Sequence, residues 1–217
     1  MANAAPTPPG DRRKDYHLFE LHESDVSPDP IEQFAKWFED AEAAKIVEPT
    51  VMTLATADII GKPAARIVLL KGFDARGFVF FTNKTSRKGR ELEENPRASL
   101  VFWWEELERQ VRIDGDVTDI IPDEAEKYFH SRPVASQIGA WVSNQSGVIA
   151  SRAELDEREA EYSEKFAGKQ IPMPDYWGGY RVIPTAIEFW QGRRSRLHDR
   201  LRYSLIKEEW KIERLAP

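Results

Sequence analysis

The sequence predicts a mainly β chain with flanking helices, an antiparallel barrel against whose outside the helices pack. Three observations predict it. From residue 50 onward, short runs rich in β-branched and aromatic residues follow one another, separated by turn-like segments that contain or adjoin glycine. Few helical stretches intervene, so the strand–helix alternation of a doubly wound parallel sheet is missing. Hydrophobic residues make up 41% of the 217 positions, enough to bury a substantial core.

Each element has its own reason. Residues 1–28 are rich in Pro, Ala and charge without periodicity, and read as a mobile N-terminal arm; residues 29–217 read as a single domain. Asp29-Pro30 opens a helix, because Asp is a good N-cap and Pro suits the first turn. Ile31, Phe34, Ala35, Phe38 and Ala41 then recur at helical spacing as a buried stripe, and Lys45 near the end suits the dipole. Strands are expected at 50–57, 63–71 and 77–82, with turns at 58–62 and 72–76. A short helix at 86–94 is stopped by Asn95-Pro96. Strands at 98–104 and 109–118 are expected to pair as a hairpin, and helices follow at 122–131 and 151–167, the second strongly charged and surface-like. The chain returns to strands at 180–183, 186–191, 200–206 and 210–214.

Composition excludes several functions. A net charge of -6 argues against nucleic acid or an anionic membrane as the main partner, so any anion site must be a local cluster of cations on an acidic body. The absence of cysteine removes disulfides, thiolate nucleophiles and Cys-based metal sites. His17, His22, His130 and His198 show no metal-ligand spacing, so no metal is expected. The longest apolar run, residues 98–104, is strand-sized, and the N-terminus lacks the basic start and apolar core of a secretory signal. A soluble cytoplasmic protein is the expectation.

Four segments concentrate the chemistry. In the first, Arg66-Ile67-Val68-Leu69-Leu70-Lys71, cations bracket an apolar strand. Strict alternation puts Arg66 and Lys71 on opposite faces, so they serve two neighbouring groups unless a bulge realigns them. In the second, Thr82 ends a strand, Ser86 caps a helix, and Arg87 and Lys88 occupy its first turn. Positive charge there opposes the macrodipole, and a phosphate at the helix start would resolve the conflict. Solvated surface cations are the alternative. In the third, Tyr128 and Arg132 lie four apart on one helix face and Ser136 follows the break at Pro133, a set able to converge on a second anion or simply to form a capped helix junction. The fourth, residues 188–200, sets Phe189-Trp190 beside a row of cations. Read as extended chain, Arg196, His198, Arg200 and Arg202 share one face, which calls for an anion opposite; a solvated edge strand is the competing reading. Two candidate phosphate sites, no nucleophile and many aromatics point to a planar or redox-active cofactor. Without a Gly-rich phosphate loop, a mononucleotide fits better than a dinucleotide.

These four segments, with Phe81-Thr82 beside the second and Glu188-Phe-Trp-Gln followed by Arg196-Leu-His-Asp-Arg200 in the fourth, occur in the order seen in pyridoxamine 5′-phosphate oxidases. From about Asp29 to the Arg-Leu-Ala-Pro end, the chain strongly resembles that family. The resemblance implies an FMN-binding split β-barrel, a homodimer with FMN between subunits, and oxidation of pyridoxamine or pyridoxine 5′-phosphate to pyridoxal 5′-phosphate by O2 with release of H2O2. It implies that the 66–71 strand lies along the flavin and that Arg66, Arg87 and Lys88 hold its phosphate region. Phe81, Thr82, Gln110, Gln145, Ser146, Trp190 and Arg200 match further cofactor contacts. Lys71, Tyr128, Arg132 and Ser136 match the grip on the substrate phosphate, and Arg196, Leu197 and His198 match residues over the substrate ring, with Arg196 and His198 catalytic. Arg13 and Tyr16 resemble a segment that closes over substrate, although the Arg-rich stretch often found after it is replaced here by Leu21-His-Glu-Ser24. A non-catalytic FMN or pyridoxal phosphate binding protein of the same fold is the alternative.

Overall fold

Asp29 caps the first helix as its chemistry requires. Its carboxylate accepts from the N–H groups of Ile31 (2.7 Å) and Glu32 (3.4 Å), Pro30 fills the first turn, and α1 runs Pro30–Ala43. The computed structural model describes residues 15–217, and within them the chain divides into two compact units. The smaller comprises the N-terminal part to Pro49, Trp103–Val111 and Glu188–Pro217; the larger comprises Thr50–Phe102 and Arg112–Ile187.

The described residues form nine strands, β1 (Val51–Ala57), β2 (Pro63–Leu69), β3 (Gly72–Asp74), β4 (Gly77–Asn83), β5 (Arg97–Trp104), β6 (Arg109–Asp119), β7 (Trp177–Gln191), β8 (Asp199–Ile206) and β9 (Glu209–Arg214). Hydrogen bonding orders them β2-β1-β5-β6-β7-β4-β3, with β8 paired to both β7 and β9. β2 therefore stands at one end of the order, held by β1 in a register that pairs Leu54 with Arg66. The remaining helices are α2 (Arg87–Glu94), α3 (Pro122–Ser131), α4 (Val134–Val142) and α5 (Arg152–Phe166). The mainly β class with flanking helices is as expected, and α5 buries none of its residues, as its charge implied.

Four local expectations need correction. The buried face of α1 is Pro30, Gln33, Phe34, Trp37 and Ala41, rotated from the expected stripe. Trp37 turns it inward by meeting Phe189 edge-on at 5.1 Å. β7 is continuous where two strands were expected. Pro184 has no N–H to give, and the neighbouring Thr185 hydroxyl donates to the Asp114 carbonyl instead (3.1 Å). Helix α4 was unanticipated, since it is short and carries Gly139 in its interior. Packing supports it: Trp141 Nε1 donates to the Pro172 carbonyl at 2.8 Å. Finally, Arg194–Arg196 form a 3-10 turn in which Ser195 and Arg196 take left-handed φ of 57° and 61°. The extended alternation expected from Arg196 begins only at Asp199, where β8 starts.

Each unit has its own core. In the larger, Val79, Ile120, Ala125, Phe129, Ile171 and Trp177 pack together. In the smaller, Phe34, Trp104, Phe189 and Tyr203 are fully buried. Phe34 lies 6.1 Å from the Trp104 ring, and Phe189 meets Tyr203 edge-on at 5.5 Å. Phe34→Ala should destabilise the protein by about 3–5 kcal/mol, the cost of an aromatic-sized cavity in a close-packed core. Urea unfolding followed by tryptophan fluorescence measures it, and a loss below about 1 kcal/mol would contradict this placement.

Candidate active site

The start of α2 builds the charged wall of the site. Ser86 caps the helix by accepting from the Gly89 N–H (3.3 Å), and the chain approaches so closely that a Cβ on Gly89 would lie 1.8 Å from the Lys84 carbonyl oxygen. This brings Arg87 and Lys88 to the first turn, where the helix dipole disfavours them. Glu91 supplies part of the compensation. It is buried, yet accepts from Arg87 Nε (2.7 Å), Arg66 Nη2 (2.9 Å) and the Thr56 hydroxyl. Burial pushes its pKa upward, but these three donors outweigh burial and hold it below the ordinary carboxylate range. Lys88 is buried as well. Its ammonium donates to Gln145 Oε1 (2.6 Å) and Ser86 Oγ (3.2 Å), and the Thr82 hydroxyl donates to the same Gln145 oxygen (3.1 Å). Desolvation first and Arg66 second lower the Lys88 pKa to about 8, with Glu91 opposing. The Ser146 hydroxyl accepts from the Arg87 backbone N–H (3.2 Å), from a left-handed backbone at φ 73°.

A second wall rises from β4, α3 and β7. Phe81 stacks on Tyr128 (centroids 4.1 Å apart, planes 14°) and on Trp177 (5.4 Å, 4°). The Arg132 guanidinium lies 5.0 Å from the centre of the Trp177 ring. Burial pushes the Tyr128 pKa up and the Arg132 pKa down. Arg132 Nη1 is buried and has no hydrogen-bond partner among the described residues. An orphaned cationic donor at a cavity wall is costly unless an acceptor arrives there.

Between these walls lies a cavity of about 1030 Å³, lined entirely by the larger unit. Arg66, Lys71, Arg87, Lys88 and Arg132 all line it, and among the described residues no carboxylate does. Ile67, Val68, Leu69, Phe81, Thr82, Tyr128, Ser136, Gln145 and Ser146 line it too, whereas the Leu70 side chain is buried away from it. Sequence alternation separated Arg66 from Lys71, but the two border one cavity. β2 ends at Leu69, Leu70 N–H still bonds Thr50 and Lys71 N–H bonds Val79, so the chain changes partner strand between them. A smaller cavity of about 350 Å³ shares Lys71, Phe81 and Tyr128 with the first. Pro133, Gly139, Ala140 and Ser143 are lining positions that sequence reading missed, because α4 itself went unrecognised.

Other expected site residues belong to the smaller unit: Tyr16, Gln110, Trp190, Arg196, Leu197, His198 and Arg200. Arg13 lies outside the described residues. Gln110 lies on β6. Tyr16 packs against Trp190 (5.8 Å) and His198 (5.9 Å), and Trp190 lies 4.5 Å from His198. Burial first and Arg196 second lower the His198 pKa, against an opposing pull from Asp199. Arg200 is clamped in bidentate fashion by the buried Glu188 (2.8 and 3.1 Å), and Arg202 pairs with Glu213 (3.1 Å). The anions that this row of cations called for are thus internal carboxylates at these two positions.

Residues 38–172 match the sequence profile described as Pyridoxamine 5'-phosphate oxidase. The chain belongs to the pyridoxamine 5′-phosphate oxidase family. Residues 177–217 match the profile described as Pyridoxine 5'-phosphate oxidase C-terminal dimerisation region. Among similar curated proteins, the pyridoxine/pyridoxamine 5'-phosphate oxidase of Trichormus variabilis is 58% identical over 208 residues, covering 95% of this chain and 97% of its own. That of Paraburkholderia phymatum is 60% identical, covering 95% and 98%. Among solved structures, PhzG from Burkholderia lata 383, crystallised with tetrahydrophenazine-1-carboxylic acid, is 34% identical with a TM-score of 0.86, covering 91% of this chain and 98% of that one. A pyridoxamine 5'-phosphate oxidase-related, FMN binding protein from Nostoc punctiforme shares the fold at a TM-score of 0.70 and 18% identity, covering 88% and 100%. The fold is the split β-barrel of this oxidoreductase family. Among the described residues, no helix is long and apolar enough to cross a membrane, and no cluster of three His, Cys, Asp or Glu side chains could hold a metal.

The Lys88 pKa makes a prediction about anion binding. Below about pH 8 the ammonium is charged, and a bound anion would restore its pKa toward the ordinary value. Affinity for a phosphate-bearing ligand in this cavity should therefore fall as pH rises through about 8, with proton uptake on binding. Calorimetry in buffers of different ionisation enthalpy measures that uptake, and Lys88→Met should abolish it.

Proposed function

We propose that this protein is an FMN-dependent oxidase that converts pyridoxamine 5′-phosphate or pyridoxine 5′-phosphate to pyridoxal 5′-phosphate, using O2 and releasing H2O2. One observation carries the reading: among the described residues, five cations and no carboxylate line one cavity of a chain whose net charge is -6. Such a cavity suits phosphate, and its size leaves room for planar rings beside the phosphates. The residues present fit FMN. Arg66, Arg87 and Lys88 would hold its phosphate, with Thr82, Gln145 and Ser146 giving further polar contacts, and Ile67, Val68 and Leu69 would lie along its ring. When bound, FMN supplies the hydride acceptor and the route of the electrons to dioxygen.

The remaining work falls to this chain's side chains. Lys71, Tyr128, Arg132 and Ser136 grip the substrate phosphate, and the orphaned Arg132 Nη1 is the donor most in need of such an acceptor. Anchoring at the phosphate, remote from the reacting carbon, holds the substrate in the orientation that reaction requires. Arg196 fixes the substrate ring and stabilises negative charge at its phenolic oxygen. His198, neutral near pH 7 because burial and Arg196 lower its pKa, orients the substrate through a hydrogen bond. Trp190, Arg200 and Gln110 complete the cofactor surroundings, and Tyr16 with Arg13 closes over substrate. Residues 29–217 act as one oxidase domain; the match of residues 177–217 to a dimerisation region supports a homodimer, and FMN would lie between its subunits.

Oxygen uptake by FMN-loaded protein, with each phosphate ester in turn, tests the activity. Uptake with matching peroxide and aldehyde formation is expected; FMN binding without turnover on either ester would make the protein a flavin-binding relative without this chemistry. Arg87→Ala combined with Lys88→Ala should release FMN on desalting, and retention at native affinity would refute the assigned phosphate position. Arg132→Ala should raise KM by roughly ten- to hundredfold, the weight of a lost charged hydrogen bond, with FMN retained. An unchanged KM would remove Arg132 from the substrate grip.

A further inference from the structure

The loop between β7 and β8 holds a strained conformation by means of side chains that take no part in the binding scheme above. Ser195 and Arg196 are consecutive left-handed residues, and neither is glycine, asparagine or aspartate. Such backbone persists only where the surroundings over-determine it. Here the surroundings are concrete. Arg193 Nη1 donates to Asp199 Oδ2 (2.9 Å) across the mouth of the loop, and Arg193 Nη2 donates to Glu20 Oε1 (2.5 Å). Asp199 Oδ2 also accepts from the Leu21 N–H (3.2 Å), while its Oδ1 accepts from Arg214 Nη1 (2.8 Å). One largely buried carboxylate thus joins the loop, the segment before α1 and the end of β9.

The loop has a second consequence. The Arg193 backbone N–H donates to His198 Nδ1 at 3.1 Å. A neutral imidazole that accepts at Nδ1 carries its proton on Nε2. His198 is then a donor at Nε2, and the polarity of its hydrogen bond to any ligand is settled before the ligand arrives.

We propose that Arg193 and Asp199 are positioning residues: their ion pair locks the loop in the form that presents Arg196 and fixes His198 as the Nε2–H tautomer. The assignment rests on the substrate role given above to Arg196 and His198. Both act through Arg196 and His198 rather than on the reacting atoms. Removing the clamp frees Ser195 and Arg196 to relax to right-handed backbone, which turns the Arg196 side chain away and lengthens the bond to His198 Nδ1.

The experiment uses the FMN-loaded full chain with 15N-labelled histidine. At pH 8 the wild type should show a His198 Nδ1 resonance of the unprotonated, pyridine type and an Nε2 resonance of the protonated, pyrrole type. In Arg193→Ala the two should move toward an average of both tautomers, kcat/KM should fall roughly ten- to hundredfold as expected for lost orientation, and FMN affinity should stay at its native value. Arg193→Lys, which keeps a cation opposite Asp199, should recover part of both signals. Asp199→Asn, nearly isosteric, tests the clamp from its other side and should reproduce the Arg193→Ala spectrum. A protonated Nδ1 in the wild type overturns the proposal, as does an Arg193→Ala spectrum and kcat/KM equal to wild type. Because the tautomer is read without turnover, a wild type that lacks oxidase activity but shows the Nδ1 signature refutes the proposed reaction while leaving the clamp standing.

Discussion

The buried carboxylate of Glu91 is the interaction on which the charged cavity depends. Three elements send a donor to it: β1 through Thr56, β2 through Arg66 and α2 through Arg87. Two guanidiniums side by side repel, and a buried carboxylate without partners is expensive. Each problem removes the other. The acid sits behind the cations rather than among them, so it neutralises part of their repulsion while the surface they present remains wholly positive. Lys88 lies beside this arrangement, hydrogen-bonded to Gln145 and Ser86, and its burial first and the neighbouring Arg66 second are why its proton is held less firmly.

The same construction recurs in the smaller unit. Glu188 lies behind Arg200, Glu213 beside Arg202, and Asp199 behind Arg193 and Arg214. An acidic chain can present cationic surfaces because its acids are spent internally as orienting partners. The two units differ in what is left over. Around the main cavity the residual element is an unsatisfied guanidinium nitrogen on Arg132 and a buried lysine, both of which favour an anion. Around His198 it is a fixed hydrogen-bond polarity.

Much of this was legible in the chain. The caps at Asp29 and Ser86 follow from local chemistry, and both appear where short-range rules put them. The conflict between Arg87-Lys88 and the helix dipole is visible in sequence; Tyr128 and Arg132 do border one cavity, but Arg132 leaves α3 as its extended C-cap rather than sharing a helical face with Tyr128. Less legible were features with no local signature. Glu91 looks like one acid among many in a charged helix; its role appears only when β1 and β2 lie against α2. Helix α4 carries glycine and little periodicity, and it exists because Trp141 and its neighbours find packing partners. The left-handed Ser195 and Arg196 are residue types that do not favour positive φ.

By itself, then, the order of residues determined the strand-rich class, the helix starts, the segments that carry cations and the family they belong to, because these follow from periodicity, capping and motif spacing along the chain. Tertiary structure alone decided that Arg66 and Lys71 border one cavity, which acids answer which cations, and which His198 nitrogen bears the proton. Those outcomes depend on groups far apart in sequence meeting in space, where burial makes an unanswered charge too costly to leave without a partner.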